Sequence, residues 1–183
     1  MATHPDIERV FYSKEVIAKR VEELGAIISK DYADISEPLI VVTLMKGAVM
    51  FSSDLVRSMT CPVLLDYMIV GSYGSATVSS KEVRIIKDLQ TAIDSHHLLI
   101  LDDIIDTGFT LEKVTKILQE RNPKSIKICT LLDKKARREV DINVDYSGFD
   151  VADEFVVGYG LDYAGLYRNL PYVGILKPLN DEE

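Results

Sequence analysis

The amino-acid sequence predicts an α/β fold in which a parallel β-sheet is flanked by helices on both faces. Segments typical of strands alternate along the chain with segments of helical periodicity. Two of the strand-like segments, 39–45 and 97–105, are almost continuously apolar, which is the pattern of strands buried on both faces. With 183 residues, 47% of them hydrophobic, the chain is long enough for one core, and we expect residues 1–183 to form a single domain.

The first half of the chain alternates helix and strand. From Ser13 to about Asp31 the apolar residues fall on one helical face, and Ser13 is a suitable N-cap. The β-branched run at 39–45 predicts a buried strand, 46–59 a short helix, and 63–70 a second strand.

The second half repeats this alternation. The predicted elements are an amphipathic strand at 82–89, a buried strand at 97–105, a helix at 110–121, and strands at 125–133, 155–160 and 172–176.

Composition indicates the cellular compartment of the protein and its relation to membranes. The longest apolar runs fall far short of the ~20 residues that cross a bilayer, and the N-terminus lacks the apolar segment of a secretory signal. The two cysteines, Cys61 and Cys129, are too few for a disulfide framework or a four-ligand zinc site. We therefore expect a cytoplasmic protein with no membrane partner.

The charge balance argues against a nucleic-acid partner. There are 21 basic and 29 acidic residues, a net charge of −8, and the basic residues cluster only at 134–138. A nonspecific nucleic-acid binder needs a basic face that displaces counterions from phosphates. An acidic chain can nevertheless hold a small phosphorylated ligand if a metal ion or backbone amides supply the countercharge.

The most informative segment is 98–111, LLILDDIIDTGFTL. Here a buried strand ends in Asp102 and Asp103, Asp106 follows, and a Thr-Gly turn then opens a helix. Ligands of parallel α/β folds bind at the carboxyl ends of strands, and backbone N–H groups at a helix N-terminus suit a phosphate. Acidic residues beside a phosphate make sense if they bind ribose hydroxyls, hold a metal or take up a proton. Taken alone, the acidic pair would more often be a helix cap with solvated neighbours.

The string DDIIDTGFT resembles the motif with which type I phosphoribosyltransferases bind 5-phosphoribosyl-1-pyrophosphate (PRPP). LMKGAVMF at 44–51, LLDKKA at 131–136 and EFVVGYGLDYAGLYRNLPYVGIL at 154–176 extend the resemblance to roughly residues 8–177 and narrow it to the hypoxanthine-guanine phosphoribosyltransferase family. It implies the type I phosphoribosyltransferase fold, with a small hood from the terminal segments and a mobile flap. It also implies Mg²⁺ as cofactor, PRPP and a 6-oxopurine as substrates, and a homodimer or homotetramer.

The resemblance implies a role for each residue that matches the family motifs. Asp102 and Asp103 are expected to bind the ribose hydroxyls, and Asp103 and Asp162 to hold the metal. Asp106 is expected to act as general base or acid near N7 of the purine. The residues expected to bind the 5′-phosphate are Thr107, Gly108, Phe109 and Thr110, among which Phe109 is an unusually bulky side chain for such a loop.

The remaining implied roles concern the pyrophosphate, the purine and the flap. Met45–Lys46–Gly47 resembles the family's pyrophosphate loop, which contains a non-prolyl cis peptide, and Arg168 is expected to contact the same group. The purine is expected to meet Lys134 at O6, the ring of Phe155 and the backbone of Val156. Ser72 and Tyr73 belong to the Gly- and Ser-rich segment 71–80, which is expected to form the flap.

Several of these residues also have ordinary structural readings. An ammonium group has donors only, so Lys134 would accept a 6-oxo group and reject the 6-amino group of adenine, but a solvated lysine beside Lys135 is the commoner case. Phe155 would by default be a core residue, and Asp162 a residue of a surface turn.

The reaction implied is displacement of pyrophosphate from PRPP by N9 of hypoxanthine or guanine, giving IMP or GMP. A phosphatase with an aspartyl nucleophile is an alternative, but it needs Asp-x-Asp spacing and leaves FVVGYGLDY unexplained. A non-enzymatic nucleotide or RNA sensor is a second alternative, which the net charge disfavours. The sequence leaves open the preference among hypoxanthine, guanine and xanthine.

Overall fold

The protein, described here by a computed structural model covering residues 3–72 and 83–178, contains a large and a small β-sheet. The large sheet has the strand order β4-β3-β2-β5-β6-β7. Its strands are β2 (Leu39–Met45), β3 (Val63–Ser72), β4 (Val83–Lys87), β5 (His97–Ile105), β6 (Ser125–Asp133) and β7 (Tyr146–Asp150). The small sheet consists of β1 (Ile7–Tyr12), β9 (Val173–Leu176) and β8 (Val156–Val157), in that order.

Within residues 3–72 and 83–178, three α-helices cover the two faces of the large sheet, as the apolar strands predict. They are α1 (Lys14–Asp31), α2 (Val49–Ser58) and α3 (Phe109–Gln119). The side chains of α1 and α2 pack with Val41 and Leu99 on one face, whereas α3 packs with Val42 and Ile100 on the other. Neighbouring strand residues therefore enter opposite cores, which explains why β2 and β5 carry no polar alternation.

The start of α1 follows the sequence prediction. Ser13 adopts an extended backbone conformation, and its hydroxyl accepts a hydrogen bond from the backbone N–H of Val16. Glu15 in the first turn is favourable beside the positive end of the helix dipole. The predicted ends of β2, β5 and β6 agree with the observed ones, and α2 begins three residues later than predicted.

The predicted parallel sheet is observed, with one antiparallel strand added at its edge. Strands β3, β2, β5, β6 and β7 run parallel, but β4 pairs with β3 in the antiparallel direction. β3 and β4 are consecutive in the chain and adjacent in the sheet, an arrangement that favours antiparallel pairing. An antiparallel edge strand on an otherwise parallel sheet is common in α/β folds.

The small sheet is formed by both ends of the chain, as expected for the hood. β1 and β9 pair antiparallel, and β8 pairs with β9 on its other side. Two strands were not predicted. β1 has one buried residue, Ile7, and so shows little apolar alternation, and β7 is a short edge strand of five residues. In addition, the strand predicted at 155–160 is confined to Val156 and Val157.

No helix in the described ranges 3–72 and 83–178 is long and apolar enough to span a membrane.

Asp66, a buried carboxylate in β3, accepts hydrogen bonds from the loop that follows β4. Its Oδ2 accepts hydrogen bonds from the backbone N–H groups of Gln90 (2.7 Å) and Thr91 (2.8 Å), and its Oδ1 accepts one from that of Tyr67 (2.7 Å). Burial by itself would raise the pKa of Asp66, but these hydrogen bonds from Thr91, Tyr67 and Gln90 lower it to about 2.

We expect Asp66→Asn to destabilise the fold by about 2 kcal/mol at neutral pH. Because the folded-state pKa lies below the ordinary value of 3.8, the stabilisation is present above about pH 4 and is lost as the pH falls towards 2. Urea unfolding at pH 7 and pH 3 measures the difference, with Asp34→Asn, at an exposed position of the turn after α1, as control. An equal loss at both pH values would contradict the assignment.

Candidate active site

Three loops meet at one edge of the large sheet because β2, β5 and β6 are parallel and in register. Thr43 pairs with Leu101, and Ile105 pairs with Asp133, so the three strands end at about the same level. The loops that follow them carry most of the predicted site residues. This is the edge at which parallel α/β folds bind ligands.

The loop between β5 and α3 forms a small cradle at the N-terminus of α3. Gly108 is the N-cap residue of α3 and has a φ of 91°, a left-handed conformation that favours glycine. A Cβ at this position would overlap the side chains of Val140 and Arg138. A cavity of about 250 Å³ opens here. Its lining includes the predicted residues Asp102, Asp106, Thr107, Gly108 and Thr110.

The segment after β6 stabilises this loop through hydrogen bonds. The sequence did not reveal these contacts. The backbone N–H of Glu139 donates to the carbonyl of Thr107 (3.0 Å). Arg138 donates through Nε to the backbone carbonyl of Asp106 (3.3 Å) and through Nη2 to Oδ1 of the buried Asp133 (2.6 Å). In the sequence Arg138 is only one member of a basic cluster, because its contact with Asp106 joins two separate loops.

Asp102 and Asp103 are adjacent carboxylates in the last part of β5, before the strand ends at Ile105. The backbone N–H of Asp103 donates to Oδ1 of Asp102 (3.1 Å). Burial and, secondly, the charge of Asp103 raise the pKa of Asp102, and burial also raises the pKa of Asp103. The pair therefore favours a ligand that brings hydroxyl donors or positive charge.

The loop after β2 packs directly against this acidic pair. The Met45–Lys46 peptide is cis, as the resemblance implies for the pyrophosphate loop. Gly47 lies against the carboxylate of Asp103, and a Cβ at Gly47 would overlap it. Gly160 has a φ of 102°, and a Cβ at this position would likewise overlap the Gly47 carbonyl oxygen. The absence of side chains at these two glycines lets the loop after β2 approach both Asp103 in β5 and the segment after β8.

Arg168 and Asp162 form an ion pair beside this loop. Nη2 of Arg168 lies 2.6 Å from Oδ1 of Asp162, and Nη1 donates to the Gly160 carbonyl (2.6 Å). The backbone N–H of Gly165 donates to the other Asp162 oxygen (2.7 Å). Both carboxylate oxygens of this predicted metal ligand are therefore engaged by protein donors.

Lys134 is buried, contrary to the ordinary reading of a solvated lysine. Its side chain is 8% exposed, and its Nζ lies 3.7 Å from Oδ1 of Asp153. Its backbone N–H donates to the carbonyl of Ile105, which fixes it beside the end of β5 (2.9 Å). A buried ammonium group with one distant carboxylate partner is suited to bind an acceptor on a ligand.

The predicted purine contacts Phe155 and Val156 lie at the start of β8. Phe155 precedes the strand rather than belonging to it, and it is 56% exposed, so it is not a core residue. Its ring meets the edge of Tyr163 at a centroid distance of 5.7 Å. Val156 is buried and pairs with Ile175. An exposed aromatic ring beside a cleft can stack on a planar ligand.

Two residues are predicted to belong to the flap. Ser72 is the last residue of β3, and Tyr73 lies outside the described residues.

A divalent cation with few protein ligands is compatible with this arrangement. In the described part of the chain no three His, Cys, Asp or Glu side chains form a preformed metal cluster. Mg²⁺ usually keeps several waters and binds one or two carboxylates together with substrate phosphates. The acidic pair at the end of β5, whose pKa values burial raises, supplies such carboxylates without a protein cation within ion-pair distance among the described residues.

Residues 11–164 match the family described as Phosphoribosyl transferase domain. The chain is 51% identical to a hypoxanthine-guanine phosphoribosyltransferase of Bacillus subtilis over 94% of this chain and 95% of the relative. A crystal structure of a hypoxanthine phosphoribosyltransferase from Staphylococcus aureus superposes with a TM-score of 0.91 at 48% identity, covering 96% of this chain and 94% of that one. The corresponding Trypanosoma cruzi structure gives a TM-score of 0.92 at 34% identity, covering 97% and 95%.

Proposed function

Because the chain belongs to the hypoxanthine-guanine phosphoribosyltransferase family, we propose that it transfers the phosphoribosyl group of PRPP to N9 of hypoxanthine or guanine. The products are IMP or GMP and pyrophosphate, which makes the protein a purine-salvage enzyme. The observation that carries this proposal is the cradle at the start of α3, which Asp102 and Asp106 line. The buried Lys134 adjoins it through its backbone hydrogen bond to Ile105, another lining residue.

The cradle is assigned to the 5′-phosphate of PRPP and of the nucleotide product. Backbone N–H groups of the turn Thr107–Gly108–Phe109–Thr110 and the dipole of α3 favour a phosphate there. Asp102 and Asp103 are assigned to the two ribose hydroxyls, since carboxylates accept hydrogen bonds from hydroxyl groups. The pyrophosphate is assigned to Lys46, Gly47 and Arg168, which lie on the adjoining loops.

The purine is assigned to the space between Lys134, Phe155 and Val156. Lys134 offers only hydrogen-bond donors, so it can bind the O6 acceptor of hypoxanthine and guanine but not the amino group of adenine. Phe155 supplies a stacking surface. Asp106 is assigned to the proton that the purine loses as N9 attacks, because it stands between the cradle and the loop that carries Lys134.

Mg²⁺ is the proposed cofactor, with Asp103 and Asp162 as its protein-side carboxylates. When bound, it neutralises charge on the leaving pyrophosphate. Asp162 is already paired with Arg168, so it would share its oxygens between two cations. The role of the chain itself is then to position both substrates and to exclude water, for which we propose a flap that contains Ser72 and Tyr73.

We also propose that the protein is a homodimer or homotetramer of the cytoplasm. Three large apolar side chains are exposed on the outer face of β3 and β4. They are Leu65 (50% exposed), Tyr67 (45%) and Ile86 (64%). Exposed apolar patches of this kind are characteristic of protein interfaces. Cys61 and Cys129 are both free thiols, in keeping with a reducing compartment.

Pyrophosphate release with PRPP and Mg²⁺ is expected with hypoxanthine and guanine and not with adenine. The discrimination against adenine is expected to reach ~10⁴-fold, because adenine would leave the buried ammonium of Lys134 unpaired. Lys134→Gln, whose amide can both donate and accept, is expected to reduce this ratio. Xanthine completes the panel, and EDTA is expected to abolish turnover. Turnover of adenine at the rate of hypoxanthine would contradict the assignment of Lys134.

Asp106→Asn is expected to lower kcat by ~10²–10⁴-fold, the usual contribution of general acid–base assistance. The substitution keeps the size of the side chain while removing its charge, so the binding of IMP and the melting temperature should change little. Calorimetric titration with IMP serves as the internal control. A variant with the wild-type kcat would show that Asp106 only caps the loop.

Leu65→Glu is expected to shift the protein towards a smaller assembly at micromolar concentration. A charge in the outer face of β3 and β4 would have to be desolvated in an interface that uses this face. Light scattering after size exclusion gives the mass, and Ile27→Glu, at an exposed apolar position of α1, is the matched control. An unchanged mass for Leu65→Glu would exclude this face as the interface.

A further inference from the structure

Arg137 lies between two carboxylates at the edge of the proposed purine site. It belongs to a short 3₁₀-helix, Lys135–Arg137, that follows β6. Its Nε lies 3.0 Å from Oδ1 of Asp106, and its Nη1 donates to Oδ1 of Asp153 at 3.3 Å. One guanidinium group therefore connects the loop before α3 with the segment before β8.

The two oxygens of Asp106 have different surroundings. Oδ1 is buried and accepts no hydrogen bond from any described residue, so the nearby charge of Arg137 is its compensation. The side chain as a whole is 41% exposed, which places its accessible surface on the side of Oδ2. Arg138 contacts only the backbone carbonyl of Asp106 and does not replace Arg137.

Asp153 connects this pair to Lys134. The same Asp153 oxygen that contacts Arg137 lies 3.7 Å from Nζ of Lys134. A continuous series of alternating charges thus runs from Asp106 through Arg137 and Asp153 to Lys134. In a 6-oxopurine, O6 and N7 lie on the same edge of the ring system, so a ligand bound by Lys134 at O6 presents N7 towards the Asp106 end of this series.

We infer that Arg137 is a positioning residue for Asp106, an inference that rests on the proposed role of Asp106. Arg137 holds Oδ1 against the protein and leaves Oδ2 to face the purine. Asp153 anchors Arg137 and keeps it in register with Lys134. Preorganisation of this kind acts on kcat rather than on substrate binding, because the ion pair is present before the purine arrives.

The expected effect is modest because the ion pair is half exposed. The side chains of Arg137 and Asp106 are 47% and 41% exposed, and exposed ion pairs contribute little. Arg137→Gln is therefore expected to lower kcat for hypoxanthine by about three- to tenfold, while KM for hypoxanthine and for PRPP stays within about twofold. Arg137→Lys keeps the charge but loses the planar fork, so its kcat should lie between those of Arg137→Gln and the wild type.

A double-mutant cycle with Asp106→Asn tests whether Arg137 acts through Asp106. If it does, Arg137→Gln lowers kcat in the wild-type background but by less than about twofold in the Asp106→Asn background. If the two losses multiply, Arg137 acts elsewhere and the inference is wrong, while the proposed function stands. If Asp106→Asn itself has the wild-type kcat, the assignment of Asp106 fails, and the inference fails with it.

The control comes from the same 3₁₀-helix. Lys135 forms an exposed ion pair with Asp150, a carboxylate that touches neither Asp106 nor Asp153 among the described contacts. Lys135→Gln removes the same charge at the neighbouring site, and we expect its kcat to equal that of the wild type. A loss in Lys135→Gln equal to that in Arg137→Gln would attribute the effect to general charge and overturn the inference. So would an Arg137→Lys variant no faster than Arg137→Gln.

Discussion

The parallel pairing of β5 with β2 on one side and β6 on the other is the constraint on which the site depends. These three strands are buried on both faces, so their register is fixed by two apolar cores at once. A slip of one residue in β5 would exchange the side chains that face α1 and α2 with those that face α3. The same register brings the ends of the three strands to about one level, where the loops that follow them carry the proposed active site.

The proposed active site contains acidic side chains although its proposed substrate is an anion. The acidic residues Asp102 and Asp103 lie at the end of β5, whereas the cradle at the start of α3 presents backbone N–H groups. Burial raises the pKa of both carboxylates, so the acidic pair is poised for hydroxyl donors or a cation rather than for the phosphate itself. This separation explains how a chain of net charge −8 can accommodate a phosphorylated sugar without a basic face.

The segment that follows β6 stabilises the proposed active site through hydrogen bonds. Arg138 ties the loop before α3 to Asp133, and Glu139 adds a backbone hydrogen bond to Thr107. Lys134 and Arg137, in the same segment, share the carboxylate of Asp153. A stretch of basic residues that looks like a solvated surface in the sequence is therefore divided between the structural contacts of Arg138 and the proposed roles of Lys134 in recognition and Arg137 in positioning.

The sequence by itself determined the buried strands, the helices between them and the motifs of the cleft. Continuous apolar runs and helical periodicity are local properties, and so β2, β5, β6 and α1 could be located closely. The motif DDIIDTGFT and the segment FVVGYGLDY identified the family, because their residues are contiguous in the chain. β1 and β7 were missed since each is short and is stabilised by pairing with a distant segment.

Only the tertiary structure decided which charges are solvated and which are buried. Lys134 and Lys135 are neighbours in the chain, yet Lys134 is buried beside Ile105 and Asp153, whereas Lys135 forms an exposed ion pair. The partners of Asp106 and the contact of Gly47 with Asp103 likewise join residues from separate loops. The physical reason is that burial and ion pairing depend on which loops the strand register brings together, and that register is set by the packing of the whole sheet.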